Sequence, residues 1–195
     1  MSQAELLPLP GQEEEFERLF KRITDQLTTL RLKWRIYRAF FGTNAERIDL
    51  LNSISGTTAL ILQDSLYDDV ILSLCRLSDP WKPRMQGKSN DSVQRLLMLG
   101  SQGSAFDRLD LVNARFKETC LPLRNHRNLH IAHSDRVANL EREKASGVSR
   151  AQIENAIETL REFVVLFELC AHQAQLSDEL ISPYATDEVE FLRAL

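Results

Sequence analysis

The chain has 195 residues, of which 43% are apolar and 27% charged, with a net charge of −4. That length and apolar content suit one domain with a core of its own, and they exclude a disordered, collagen-like or low-complexity chain. The acidic balance also argues against a protein that coats nucleic acid by bulk charge.

Seven Gly and six Pro punctuate long breaker-free stretches, so the elements can be read in order. Residues 1–11 open acidic and Pro-containing, without the basic and apolar regions of a signal peptide, and are expected to be flexible or loosely docked. From Gln12 to Phe41 the apolar residues Phe16, Phe20, Ile23, Leu27, Leu30, Trp34, Tyr37 and Phe41 step alternately by four and three. That rhythm predicts a long amphipathic helix with a seam of bundle type, in which Trp34, Tyr37 and Phe41 are core residues. The seam is also long enough to serve as a partner surface. Glu13–Glu15 reads as a solvated charge run suited to a helix N-terminus.

A shorter helix is predicted over 44–55. Thr57–Ser78 is apolar on most sides, through Leu60, Ile61, Leu66, Tyr67, Val70, Ile71, Leu74 and Leu77, and predicts a central buried helix. The longest uncharged run, Leu50–Gln63, is too short and too polar at Asn52, Ser53, Ser55 and Thr57 to span a bilayer. Pro80–Asn90 is a loop. The cluster Ser89–Ser92 supplies an N-cap for a short helix over 91–99, with Gly100 as its C-cap. Further short helices are predicted over 104–120 and 123–133. Ile153, Ile157, Leu160, Val164, Phe167 and Ala171 repeat the four-three step and predict a third long helix. Residues 178–195 read as a flexible or loosely docked tail. No segment alternates with period two. The expectation is therefore one all-α domain over residues 1–195, an up-and-down helical bundle of three long helices and several short ones. Cys75, Cys120 and Cys170 are too widely spaced for a disulfide framework or a zinc ribbon, which points to a reduced, cytoplasmic setting.

Charge is unevenly spread. Between Ala105 and Arg150 lie nine Lys/Arg and six Asp/Glu, a segment of +3 in a chain whose remainder is −7. Three of the four histidines, His126, His130 and His133, sit there within eight residues.

Within that segment Leu123-Arg-Asn-His-Arg-Asn-Leu-His-Ile-Ala-His-Ser-Asp135 resembles the signature of the HEPN superfamily (higher eukaryotes and prokaryotes nucleotide-binding). The signature is an Arg, usually followed by Asn, His or Asp, and then a His after four to six residues. Arg127-Asn128 preceding Ala132-His133-Ser134-Asp135 is similar to the abortive-infection, AbiU-type subgroup, as are Leu72-Ser-Leu-Cys-Arg-Leu-Ser-Asp-Pro80 and Ser89-Asn-Asp-Ser-Val-Gln-Arg-Leu-Leu97. The resemblance runs over roughly Phe16–Cys170, mostly as helix order.

It implies a helical bundle, usually a homodimer, many of whose relatives are metal-independent endoribonucleases acting as toxins or phage-defence effectors. It makes Arg127, Asn128 and His133 the catalytic candidates. RNA carries its own nucleophile in the 2′-OH, so cleavage to a 2′,3′-cyclic phosphate and a 5′-OH needs a base near neutral pH and a cation for the phosphorane. Histidine suits the first task and the arginine fork the second. Asn128 would orient the arginine or face the phosphate. Arg124, His126, His130 and Asp135 are the candidates for holding substrate. Neither a cofactor nor a metal is required. The alternative is a non-catalytic nucleotide-binding, RNA-binding or protein-interaction module acting with an antitoxin or nucleotidyltransferase partner.

Three points stay open in the residues themselves. Arg124-Asn125 followed by His130 repeats the spacing of Arg127-Asn128 followed by His133; the second frame is favoured by its Ala-His-Ser-Asp ending. Six residues on a straight α-helix turn by roughly 240°, so Arg127 and His133 converge only through side-chain reach, a helix break or a dimer. Finally, His126, His130 and His133 step i, i+4, i+7, a spacing compatible with a shared metal to which Asp64, Asp68 or Asp69 could reach. Asp68-Asp69 reads more simply as a polar helix edge or an ion pair with Arg76. An arginine and a histidine in such a cluster can also be a salt-bridge or capping pair, and Asp135 or Ser134 a helix cap.

Overall fold

The structure is a computed structural model that describes residues 5–42, 45–81, 90–131 and 147–174. It is an all-α bundle. Helix α1 spans Glu13–Tyr37 and ends in a π-helical turn, Arg38–Gly42. α2 spans Ala45–Ser78, α3 Val93–Met98, α4 Ser104–Thr119 and α5 Leu121–His126. A second π-helical turn, Arg127–Ile131, continues α5, and α6 spans Arg150–His172. Among the described residues, no strand forms and no helix is long and apolar enough to cross a membrane.

The four-three rhythm of α1 does what its spacing dictates. Phe16, Ile23, Leu27, Leu30, Trp34, Tyr37 and Phe41 are buried against the rest of the bundle. Phe16 and Phe20 meet Phe167 of α6 at 5.1 and 4.8 Å, and Phe163 lies 6.0 Å from Phe167. Aromatic rings at these separations add to the burial of roughly 150–250 Å² each. The seam is thus consumed inside one chain rather than offered to a partner.

α2 meets its expectation in one respect and departs from it in another. The two helices expected over 44–55 and 57–78 are present and meet at a kink at Ser55, whose backbone is extended. The Ser55 hydroxyl donates to Thr58 Oγ1 at 2.9 Å and accepts from the Thr58 N–H at 3.4 Å, so it caps the second half. Burial is the departure. Val70, Ile71, Leu74, Cys75 and Leu77 are fully enclosed, whereas Leu60 and Ile61 are each more than half exposed, and Ile48, Leu50, Ile54 and Leu62 are exposed as well. Only the C-terminal half of α2 is a central helix.

Nor are the described N-terminal residues loosely docked. Leu6 is fully buried; its N–H donates to the Cys170 carbonyl at 2.9 Å, and Leu9 N–H donates to Leu99 O at 2.8 Å. Pro8 pairs with Gly100 in an isolated bridge. Gly100 is needed for that close approach and not as a C-cap: a Cβ there would lie 2.8 Å from Leu6 Cδ1. The expected tail, 178–195, lies outside the described residues.

Ser92 caps α3 as anticipated, accepting from Arg95 N–H, while Ser89 and most of the 80–90 loop lie outside the described residues. Glu15 is not merely solvated. It takes the Arg95 guanidinium in two bonds of 3.0 and 3.1 Å and so ties α1 to α3. α6 opens on a full capping box between Ser149 and Gln152.

Candidate functional site

Pro122 shapes the site first. It has no N–H to donate and its ring crowds the preceding turn, so α4 cannot run through it. Cys120 therefore closes α4 and opens α5 with no loop between them. α5 then packs on the C-terminal end of α2, where Leu123 is fully buried.

That docking points two arginines at the last residues of α2. The Arg124 guanidinium donates to the Ser78 carbonyl and, at 3.0 Å, to the Ser78 hydroxyl, which occupies acceptors that a helix C-terminus leaves open. Its Nε lies 3.6 Å from Asp79. One turn on, Arg127 Nη1 donates to the other Asp79 oxygen at 3.3 Å, and Arg127 Nε donates to Asn128 Oδ1 at 3.2 Å. Both Arg-Asn frames thus meet one carboxylate. They differ in commitment: Arg124 is spent on main chain and hydroxyl, whereas Arg127 meets two side-chain acceptors among the described residues and stands at the first residue of the π turn. Arg124 and Arg127 are each about a quarter exposed or less, as is Asp79.

The π turn bears on the histidines. Its hydrogen bonds close over five residues instead of four, and such turns recur at functional sites. The i, i+4, i+7 face expected for His126, His130 and His133 needs an uninterrupted α-helix, and His126 and His130 are joined by a π turn instead. Among the described residues no group of three or more His, Cys, Asp or Glu is arranged to hold a metal ion. Asp69 is paired with Lys33 at 2.7 Å, and Arg76, its expected partner, instead donates to Ser73. His126 sits edge-on to Tyr67 with ring centroids 5.8 Å apart. His133 and Asp135 lie outside the described residues, and of His130 only the backbone is described.

The surroundings explain why the cluster stays polar at its rim only. Burial pushes the Cys75 thiol up to about 12 and the Cys120 thiol up to about 11, although Arg127 and Arg124 pull the other way, so both are inert core residues at neutral pH. Burial likewise lowers the Lys117 amine, with the nearby Arg124 charge adding to the effect and Asp110 opposing it. On its outer side Asp79 lines a cleft of about 660 Å³ between α1 and α2, where Arg22 pairs with Asp91 at 2.6 Å and Lys33 with Asp69. Asp79 is the residue to which sequence reading gave no part. The signal was present: a carboxylate in Ser78-Asp79-Pro80, directly before a proline that ends a helix.

No curated protein and no solved structure matches the chain. A family model does, the HEPN model described as AbiU2, over residues 13–192. This span takes in the six helices and two π turns of the described residues and the two Arg-Asn frames, and the chain belongs to the AbiU2 family of HEPN proteins.

Proposed function

We propose that this HEPN-type module is a metal-independent endoribonuclease of the abortive-infection kind, cleaving RNA by attack of the 2′-OH on the adjacent phosphate. What carries the reading is Arg127. It stands at the start of a π turn, with Asp79 and Asn128 each taking one edge of its guanidinium. A fork held on two sides still has donors for a phosphate oxygen and needs little reorganisation as charge develops. Arg127 is assigned the phosphorane charge, His133 the proton transfer, and Asn128 the orientation of Arg127. His126, His130, Arg124 and Asp135 are assigned to the substrate side, Arg124 through the structural clamp on Ser78.

A homodimer is part of this proposal. It follows the family resemblance: two copies facing each other would combine Arg127 of one with His133 of the other in one cleft. With the α1 seam packed internally, the exposed apolar face of α2 around Leu60 and Ile61 is the surface assigned to the second copy. Sedimentation of the wild type and of Leu60→Glu at assay concentrations tests it; a fully active monomer refutes the dimer.

The ion pair itself favours a second reading. Arg124 and Arg127 neutralise Asp79 at a helix end, which is also what a purely structural clamp in a non-catalytic partner-binding module would look like. One experiment separates the two. Pure protein is incubated with bulk RNA, with and without EDTA, and the 3′ ends are examined. Cleavage that survives EDTA and leaves cyclic phosphate supports the nuclease. Activity lost to chelator points to a metal enzyme, and intact RNA to the interaction module.

A further inference from the structure

A second charged feature lies at the other end of α1. Between Asp25 and Glu46 the chain carries Arg31, Lys33, Arg35 and Arg38 and no acid, in a protein of net charge −4. Arg31, Arg35 and Arg38 step i, i+4, i+7 and fall on one helix face, at neighbour spacings of about 5–6 Å. With Arg47 at the start of α2 they line a cleft of about 800 Å³, faced by Glu154 and Glu158 of α6. The two regions are joined locally. Arg47 donates to the Ala39 carbonyl at 2.9 Å, which fixes the start of α2 against the π turn.

We propose that this cleft binds the phosphodiester backbone of an RNA strand whose next segment passes Arg127. The inference rests on the RNA reading above and adds where the strand is held. Three observations carry it. A row of guanidinium groups suits a polymer with one anionic charge per residue, since each fork can meet a phosphate through paired N–H donors. The acids on the facing wall are exposed enough to be displaced: Glu158 is held by Arg161 at 2.5 Å and Glu154 by Arg38 at 3.2 Å, but both carboxylates are about half exposed, so a phosphate can compete for the cleft's arginines at little loss. The cleft also lies within an oligonucleotide's reach of the Arg127 turn, because a chain of ring contacts links Trp34 to His126. Trp34, in its floor, stacks on Tyr37 at 4.9 Å; Tyr37 lies 5.8 Å from Tyr67, and Tyr67 5.8 Å from His126, the residue before Arg127. One short oligonucleotide can reach both. Because Trp34 is buried, no base stacks on it, and the contact is to the backbone without sequence preference.

The test is binding of a labelled 2′-O-methyl oligoribonucleotide of about 12 nucleotides, whose blocked 2′ oxygen separates binding from cleavage, over a range of salt. Arg35→Gln with Arg38→Gln should weaken binding by roughly tenfold or more and flatten the salt dependence by about 1.4 in logarithmic slope, about 0.7 per lost phosphate contact. Glu154→Gln, which retains an acceptor for the Trp34 indole N–H, should tighten binding. Lys21→Gln, in an exposed pair with Asp25 outside both sites, should change it by less than about threefold. Unchanged affinity and slope in the double variant would overturn the proposal, as would a Glu154→Gln protein that binds no more tightly. The second result decides even where the double variant melts early. Poly-glutamate binding as tightly as RNA would assign the cleft to an acidic protein partner instead. Tight, cleft-dependent binding with no cleavage of unmodified RNA would sink the nuclease and leave the cleft standing; cleavage indifferent to the cleft would do the reverse.

Discussion

The α1–α6 seam and the end of α2 are both buried, but they are built on opposite principles. In the seam Phe16, Phe20, Phe163 and Phe167 meet through rings that need only shape and volume from one another. At the end of α2, Ser78, Asp79, Arg124 and Arg127 meet through charge and directed hydrogen bonds, over Cys75 and Cys120 whose thiols burial has made inert. Apolar packing is non-directional and tolerates conservative exchange. A half-buried charged cluster tolerates none of its members alone, because each removal strands the rest. The comparison teaches where shape and direction separate: the seam holds the bundle together by volume, and the cluster holds two cations on one carboxylate, where the proposed function puts the RNA phosphate.

The largest expected effect breaks the second region alone. Arg127→Ala and His133→Ala should each lower RNA cleavage by roughly 10²–10⁴-fold, while Arg124→Ala and His130→Ala should be milder; the reverse ranking would move the site to the first Arg-Asn frame. Rates are to be read beside thermal melts, since Arg124 also ties down α2. In the seam, Phe167→Ala should cost about 3–5 kcal/mol in a denaturant melt and leave the activity per folded molecule unchanged. A loss of specific activity without a loss of stability would erase the distinction between the regions.

Asp79→Asn sharpens the comparison, because it keeps the shape and removes the charge that two arginines share. It should destabilise by about 1–3 kcal/mol and also lower cleavage, since Arg127 would lose one of its two anchors. Full activity with reduced stability would show that the clamp is structural only.

The smallest effect is a pH dependence at the far end of the seam. His172 Nδ1 lies 2.6 Å from Glu168 and Nε2 3.1 Å from Glu17, with the rings of Phe20 and Phe167 beside it and Lys21 and Asp25 lining the same small cleft. Burial alone would lower its pKa, but the hydrogen bonds and charges of Glu168 and Glu17 outweigh it, and the net shift is upward from 6.5. A raised folded pKa means that the stabilisation is fully present below 6.5 and fades as pH rises through the folded value. Wild type should therefore exceed His172→Gln by about 1 kcal/mol or less near pH 5.5, and the gap should close by about pH 9. A gap that widens with pH would show that the histidine acts neutral.

Much of the architecture was legible because long helices are written locally. The four-three steps of α1 and α6 and the Ser92 cap needed no knowledge of neighbours, since periodicity and capping are properties of a few consecutive residues. The break at Ser55-Gly56 was legible in the same way, and the chain kinks at Ser55. Burial along α2 was misread. Leu60 and Ile61 carry the same composition as Ile71 and Leu74, and only the bundle's extent decides which of them find cover.

For the site, sequence alone determined the residue types that suit phosphate chemistry and their crowding between Arg124 and Asp135. It also determined the family, which rests on the order of those residues along the chain. Tertiary structure decided the rest. The sharing of Asp79 between Arg124 and Arg127 joins positions 45 and 48 residues apart, and the π turn at Arg127 overrides the α-helical faces that spacing implies. The arginine cleft exists only because α1, α2 and α6 converge there. Spacing fixes what lies on one helix; contact across helices is set by packing, which no local pattern records.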